Sequence, residues 1–390
     1  MTPIEIGIIG IVLLVFLLLI RVPAGISLII AAAVGSSLLT SVEIALMEIS
    51  ERIISIVQTH SLASIPFFTL MGILISKSNL SVYLYSFIAL LSGKKQKAGF
   101  TAHLFSAALL LVAPISVAFV VFGFLTSGFV GHTLVSWIIP GILVIVLFAI
   151  VLPIAAYLRP GLMTESKVVQ VSIRDAVKTV WIIPVLLFVV YGGLFFGWLR
   201  PAESAAAGAT LVLIFAISSR QINLSGFFAA LVQAAKSTAR ISLLIIGGSL
   251  FGFFMIRSLV ISALSSAIAS TDFSLIVTVA IFLLVVFIVG IAMDKMAALV
   301  IVTPIAYPIL AGPLVSEAWL GVMIILILFV SHLLRQTDND CLVGASKDNP
   351  YTVEIFPARL PLIAILMAIC AFTMLFPIIA TVLPRLMRGW

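Results

Sequence analysis

Apolar runs of about twenty residues recur along this chain with almost no charge inside them, and that feature restricts the folds open to it. IGIIGIVLLVFLLLI near the start, then SLLIIGGSLFGFFMI and LIVTVAIFLLVVFIVGIAM, reach or approach the roughly 20 residues a helix needs to cross a hydrocarbon core. Only 9% of the 390 residues are charged and 63% are hydrophobic, against about a quarter charged in an ordinary soluble domain. A water-soluble fold could not cover itself with so little charge. Lipid offers backbone groups no partners, so spanning segments must be helices or a closed barrel, and the polar–apolar alternation of barrel strands is missing. The expectation is an all-α integral membrane protein with about ten to twelve transmembrane or re-entrant helices.

No basic residue precedes the first run and no small-residue cleavage pattern follows it, so it reads as a retained span and not as a signal peptide. A net charge of +7 would suggest nucleic acid in a soluble protein, but here the basic residues fall in short connections between spans, where they set topology. No nucleic-acid partner is expected; membrane lipids are. Cys341 and Cys370 form no CxxC pair and have no histidine at zinc spacing, so neither a disulfide framework nor a metal site is supported.

Charges and turn residues divide the chain into apolar stretches near 4–20, 24–40, 62–76, 99–123, 134–157, 180–199, 203–218, 241–256, 274–293, 296–312, 318–334 and 360–384. With the N-terminus outside, the inner face receives Arg21, Lys77, Lys94, Lys95, Lys97, Arg159, Lys167, Arg174, Lys178, Arg220, Lys236 and Arg240. Over residues 1–240 only Arg52 and Arg200 fall outside, so the lysine and arginine bias fixes this orientation. The outer connections also hold Glu43, Glu48, Glu51 and Glu203. Two inner segments, Ser78 to Gly99 and Ile222 to Arg240, are polar enough to lie along the membrane surface; the second reads as an interfacial helix or an amphipathic connector. No solvated domain or long linker interrupts the pattern, so 1–390 is read as one membrane domain.

Ionisable groups within apolar runs are costly and mark candidate sites. Asp294, followed by Lys295, separates two such runs, the second of which contains Thr303, Pro304 and Pro308. Either 274–312 forms two full spans with Asp294 at the inner turn, or it forms a re-entrant hairpin from outside with Asp294 at its deep tip. The second candidate is Thr337, Asp338, Asn339 and Asp340 in LLRQTDNDCLVG. Part-way down a span, this run would be an oxygen-rich helix break of the kind that holds a sodium ion or solute; at the surface it would be an ordinary cytoplasmic loop. Pro114, with Ser116 in the same PISV segment, would free backbone carbonyls within a span. His60, His103, His132 and His332 read as packing residues. HExxH and GxSxG are absent, and no nucleophile and base stand at matching depth, so no enzyme is expected.

LLLIRVPAGISLIIAA, LASIPFFTLMGILI, IIPGILVIVLFAIVLPIAAYLRP, YGGLFFGWLRPAESAAAGATLV and MDKMAALVIVTPIAYPIL, in that order, resemble the large permease subunit of TRAP (tripartite ATP-independent periplasmic) transporters. The resemblance covers nearly the whole chain. It implies an elevator-type scaffold of two inverted repeats, here 1–178 and 179–390, each with a re-entrant hairpin and a broken helix. It places Asp294 to Pro304 in the second hairpin and gives weight to the deep-tip geometry. It further implies sodium as the coupling ion, a small organic anion of the carboxylate class as solute, a periplasmic solute-binding protein and a small membrane permease subunit as partners, and the bacterial inner membrane as location.

The sequence departs from the family pattern twice. About forty residues of the first hairpin and its return are missing between His103 and Pro114, which reduces the N-terminal repeat. The second break, a glycine/threonine/proline-proline segment in the family, is replaced by LLRQTDNDCLVG. The candidate solute- or ion-binding residues are therefore Pro114, Ser116, Asp294, Thr303, Thr337, Asp338, Asn339 and Asp340, with sodium as the one cofactor to consider. The competing expectation is a non-transporting relative with a role in assembly or regulation.

Overall fold

The computed structural model of the chain describes residues 1–78, 80, 115–158, 180–271, 273–310, 315–335 and 356–387. Among these, six helices are long and apolar enough to cross a membrane, or seven if a bent C-terminal pair counts as one span. Helix α1 (Pro3–Leu19) opens on a reciprocal cap, in which the Thr2 amide donates to the Glu5 carboxylate and the Glu5 amide to the Thr2 hydroxyl. Helix α2 (Ala24–Leu39) follows Pro23, and α4 (Ser64–Lys77) descends from a short 3₁₀ turn at His60–Ala63.

Between α2 and α4 the outer connection is helical. Ser41 accepts the Ile44 amide and starts α3 (Val42–Val57), an amphipathic helix carrying Glu43, Glu48, Glu51 and Arg52. Next come α5 (Ile115–Leu125), α6 (Val130–Ser136) and α7 (Ile138–Leu158), with α6 and α7 forming nearly one span. The expected crossing over 99–123 is thus described only from its last turns, since 81–114 lie outside the described residues. Helix α8 (Ile182–Leu187) runs through a π-helical stretch, Phe188–Gly192, into a final turn, Gly193–Phe195, and α9 (Pro201–Ser218) returns beside α4.

The surface segment 222–240 and the apolar stretch 241–256 prove to be one 34-residue helix, α10 (Leu224–Arg257). The Asn223 side chain caps it by accepting the Gly226 amide, and no proline interrupts it. At about 1.5 Å per residue it is some 50 Å long, well beyond a 30 Å core, so its first half extends past the bilayer with Lys236 and Arg240 exposed. A short α11 (Val260–Ala269) caps the outer end, and α12 (Leu275–Ala292) and α13 (Lys295–Leu310) form a hairpin. Helix α14 (Glu317–Arg335), buried on nearly every face, lies behind that hairpin.

The single C-terminal stretch expected over 360–384 is broken. Helices α15 (Phe356–Leu375) and α16 (Ile378–Leu386) meet at 66° around Phe376 and Pro377, because the residue before a proline is driven out of the helical region.

Helix α10 packs against α2, α3, α4, α5 and α13. Small residues allow the approach: a Cβ on Gly247 would stand 2.6 Å from the Gly25 carbonyl oxygen of α2 and 2.9 Å from Leu28 Cβ. The fully buried Phe254 ring fills the space left by Gly10 of α1 and Gly35 of α2.

Gly247→Ile should force α2 and α10 apart and cost about 1–3 kcal/mol, read as a lowered thermal midpoint of the purified protein; an unchanged midpoint would show that this contact does not hold the helices. For orientation, cysteine at Ser219 should be shielded from an impermeant thiol reagent in intact cells while cysteine at Glu43 reacts, and the reverse pattern would invert the topology.

Candidate functional site

At the outer end of the bundle a cavity of about 470 Å³ opens between four elements. Helix α3 supplies Arg52, Ser55 and Ile56, and the turn after it Thr59 and Ser61; α10 supplies Ser249, Gly252, Phe253 and Ile256. Helix α13 contributes Pro304, Tyr307 and Pro308, and the α5–α6 turn closes the remaining side from Gly123 to Val130. The volume is that of a small-molecule site.

The guanidinium of Arg52 lies 3.4 Å from the centre of the Phe253 ring. Arg257 approaches the same ring at 5.5 Å and forms an ion pair with Glu48. Burial lowers the Arg52 guanidinium from its ordinary value, Glu48 works against that and Arg257 adds to it; a guanidinium nonetheless stays protonated in proteins.

The α5–α6 turn is built around a carboxylate. Ser127 adopts a positive φ of 56°, and the buried Thr126 hydroxyl donates to Glu317 at the start of α14. Gly128 lies so close to that carboxylate that any Cβ there would collide with it. Glu317 thereby ties the turn to α14, and a charge-assisted hydrogen bond of this kind is about twice as strong as a neutral one.

The predicted residues are placed as follows. Asp294 stands exposed at the tip between α12 and α13, and its carboxylate accepts the Met296 amide at 3.0 Å. Among the described residues it makes no ion pair. Lys295 lies with its ammonium 4.7 Å from the Phe329 ring, and Gly290 abuts Ser331. Phe329 is twelve positions along α14 from Glu317, about 18 Å of rise, and six short of Arg335. The tip therefore reaches well past the middle of α14. Thr303 is fully buried, and its hydroxyl donates to the Leu299 carbonyl at 2.7 Å. It lies nine positions beyond Asp294, about 13 Å up the same helix, so these two do not meet. Thr303 instead adjoins Pro304 at the cavity wall. Ser116 falls in the first turn of α5, while Pro114 and Thr337 to Asp340 lie outside the described residues.

Arg52, Thr126 and Glu317 did not emerge as site residues from the sequence. For Arg52 a signal existed, because it is one of two basic residues among the first 240 placed against the charge bias.

With this geometry in place, the chain can be set beside known proteins. It matches the family described as tripartite ATP-independent periplasmic transporter, DctM component, in two stretches, residues 11–116 and 98–379. It is 25% identical over 285 residues to the sialic acid TRAP transporter large permease protein SiaM of Vibrio cholerae, covering 72% of this chain and 65% of that one. It is 25% identical over 292 residues to the isethionate TRAP transporter permease protein DctMQ of Oleidesulfovibrio alaskensis, covering 70% of this chain and 45% of that one. The chain thus spans less than two thirds of the length of these relatives. The YdaH transporter of Alcanivorax borkumensis superposes over 86% of both chains with a TM-score of 0.48 and 13% identity.

The Glu317 contact is testable by a double-mutant cycle. Gly128→Val should destabilise the protein by about 1–3 kcal/mol, and Glu317→Ala should remove most of that penalty in the double variant, with a coupling of about 1 kcal/mol or more between the sites. Additive midpoint shifts would mean that the two residues do not touch.

Proposed function

The chain belongs to the DctM component family of tripartite ATP-independent periplasmic transporters, and from that membership we propose that it is the membrane-embedded large permease of a secondary transporter that moves a small organic anion coupled to sodium. It is a multi-pass inner-membrane protein and not an enzyme. The observation that carries the reading is the family match, which runs from residue 11 to residue 379. The solutes named for the relatives, sialic acid and isethionate, are both anions at neutral pH, and this supports a carboxylate or related anion here.

The site residues follow from the hairpin. Asp294 presents a carboxylate with no ion-pair partner among the described residues, deep beside α14. Lys295 beside it is turned onto the Phe329 ring, and a carboxylate at a hairpin tip can take a cation. We assign Asp294 to the ion site together with Thr337, Asp338, Asn339 and Asp340, which follow directly on α14, and Thr303, Pro114 and Ser116 to the solute side. A small permease subunit and a periplasmic binding protein are the partners that this reading requires.

The family match is split, and residues 98–116 are used by both stretches. That overlap falls where the sequence places a shortened first hairpin, and it favours the second reading, a relative that keeps the scaffold without transporting.

Sodium binding separates the two. At a sodium concentration ten times its Kd the parent should gain about 1.4 kcal/mol of stability over potassium, and Asp294→Asn and Asp340→Asn should each lose that gain. Equal stabilisation in all three proteins would remove these carboxylates from the ion site. No stabilisation of the parent, with no sodium-driven uptake of anions into proteoliposomes, would leave the non-transporting reading.

A further inference from the structure

On helix α3, Glu48 and Arg52 stand four residues apart, the spacing at which a carboxylate and a guanidinium on one helix face ordinarily pair. They do not pair here. Glu48 is held instead by Arg257, at the end of α10. Arg52 is turned onto the Phe253 ring at the cavity wall, and among the described residues it makes no hydrogen bond and no ion pair. The exchange leaves one fixed positive charge, with its fork of N–H donors, facing a 470 Å³ space. Around it, Ser55, Ser61 and Ser127 also line the cavity.

This arrangement favours one class of occupant. A guanidinium stacked on an aromatic ring is oriented and partly stripped of water, and it binds a carboxylate or sulfonate through two parallel hydrogen bonds. Of the acidic groups around the cavity, Glu48 is engaged by Arg257 and Glu317 by Thr126, while Glu51, beside Arg52 on α3, is exposed to solvent.

We propose that this outer cavity is a receiving site for a small organic anion, with Arg52 as its anchor and Arg257 as the positioning residue that keeps Glu48 from neutralising it. The proposal rests on the anion-transport reading above and adds a second, shallower site to it, since the cavity lies at the level of Pro304 to Pro308 and Asp294 stands about 15 Å deeper along α13.

The test uses the full chain in zwitterionic nanodiscs, so that no lipid of net negative charge competes for Arg52. Cys341 and Cys370 are replaced by serine, and Ser61→Cys supplies the reporter thiol. A negatively charged methanethiosulfonate should modify this thiol about ten times faster than a positively charged one of similar size, and Arg52→Gln should abolish the preference. Succinate and isethionate should slow modification saturably, whereas uncharged succinamide should not. Arg52→Gln should weaken that protection at least tenfold, and Arg52→Lys should retain part of it.

Arg257→Gln should also weaken protection, because Glu48 is then free to pair with Arg52; adding Glu48→Gln to it should restore protection. A purely structural role for Arg257 would not be rescued in this way. Protection that is unchanged by Arg52→Gln, or absent with every anion, would overturn the proposal. The two readings fail separately: sodium-driven uptake with no protection sinks the receiving site alone, and protection with no uptake sinks transport alone.

Discussion

Close approach of helix backbones at small residues is the constraint on which the rest of this structure depends. Between helices in lipid there is no hydrophobic driving force, so association rests on van der Waals packing and on the few polar contacts available. Helix α10 meets this requirement with glycines on different faces. Gly247 admits the backbone of α2 and Gly252 admits the Pro304 ring of α13. The Phe254 ring, fully buried against Gly10 and Gly35, locks α1 to the same unit. Because α10 continues to Arg257, this packing also fixes the height at which Phe253 and Arg257 stand.

The charged groups at the outer end are arranged on that frame. Helix α3 has a Ser41 cap and an amphipathic pattern, but its orientation is set by the Glu48–Arg257 ion pair and by Arg52 stacked on Phe253. An exposed ion pair of this kind adds little stability by itself. Its consequence is positional, since it decides which of two arginines is neutralised. Glu317 has a similar effect on the opposite wall: its carboxylate tethers the α5–α6 turn through Thr126, and the turn tolerates the approach because residue 128 has no side chain.

Much of this was legible in the sequence, and the misses share a cause. Apolar runs located α1, α2, α9, α12, α13 and α14 to within a few residues, because a lipid-facing helix must be apolar nearly throughout. Asp294 is visible in the sequence as one of a charged pair between two such runs, and its place beside α14 comes from the contacts of Lys295 and Gly290. Helix α3 falls in an outer connection whose glutamates mark topology, while the four- and three-residue spacing of Ile49, Ile53 and Ile56 carries its helical signal. Arg52 was noticed only as an exception to the charge bias; its pairing depends on Arg257, some two hundred positions away, which no local pattern encodes. The break at Pro377 is hidden in the sequence because the stretch around it is apolar on both sides.

Helix α13 is where the two levels of the molecule meet. Pro304 and Pro308 have no amide hydrogen, so the carbonyls of Val300 and Pro304 lose their partners within the helix. Such carbonyls accept cations and repel anions. From the outer cavity inward along α13 stand the positive charge of Arg52, the carbonyls of Val300 and Pro304, and at the tip the Asp294 carboxylate beside the Lys295 ammonium. Arg52 favours an anion at the outer end of α13, while the freed carbonyls and the Asp294 carboxylate further in favour a cation. On the transport reading proposed above, the Asp294 carboxylate would oppose an anion descending along α13, and a cation held beside it would lift that opposition, which gives a physical reason for coupling the two.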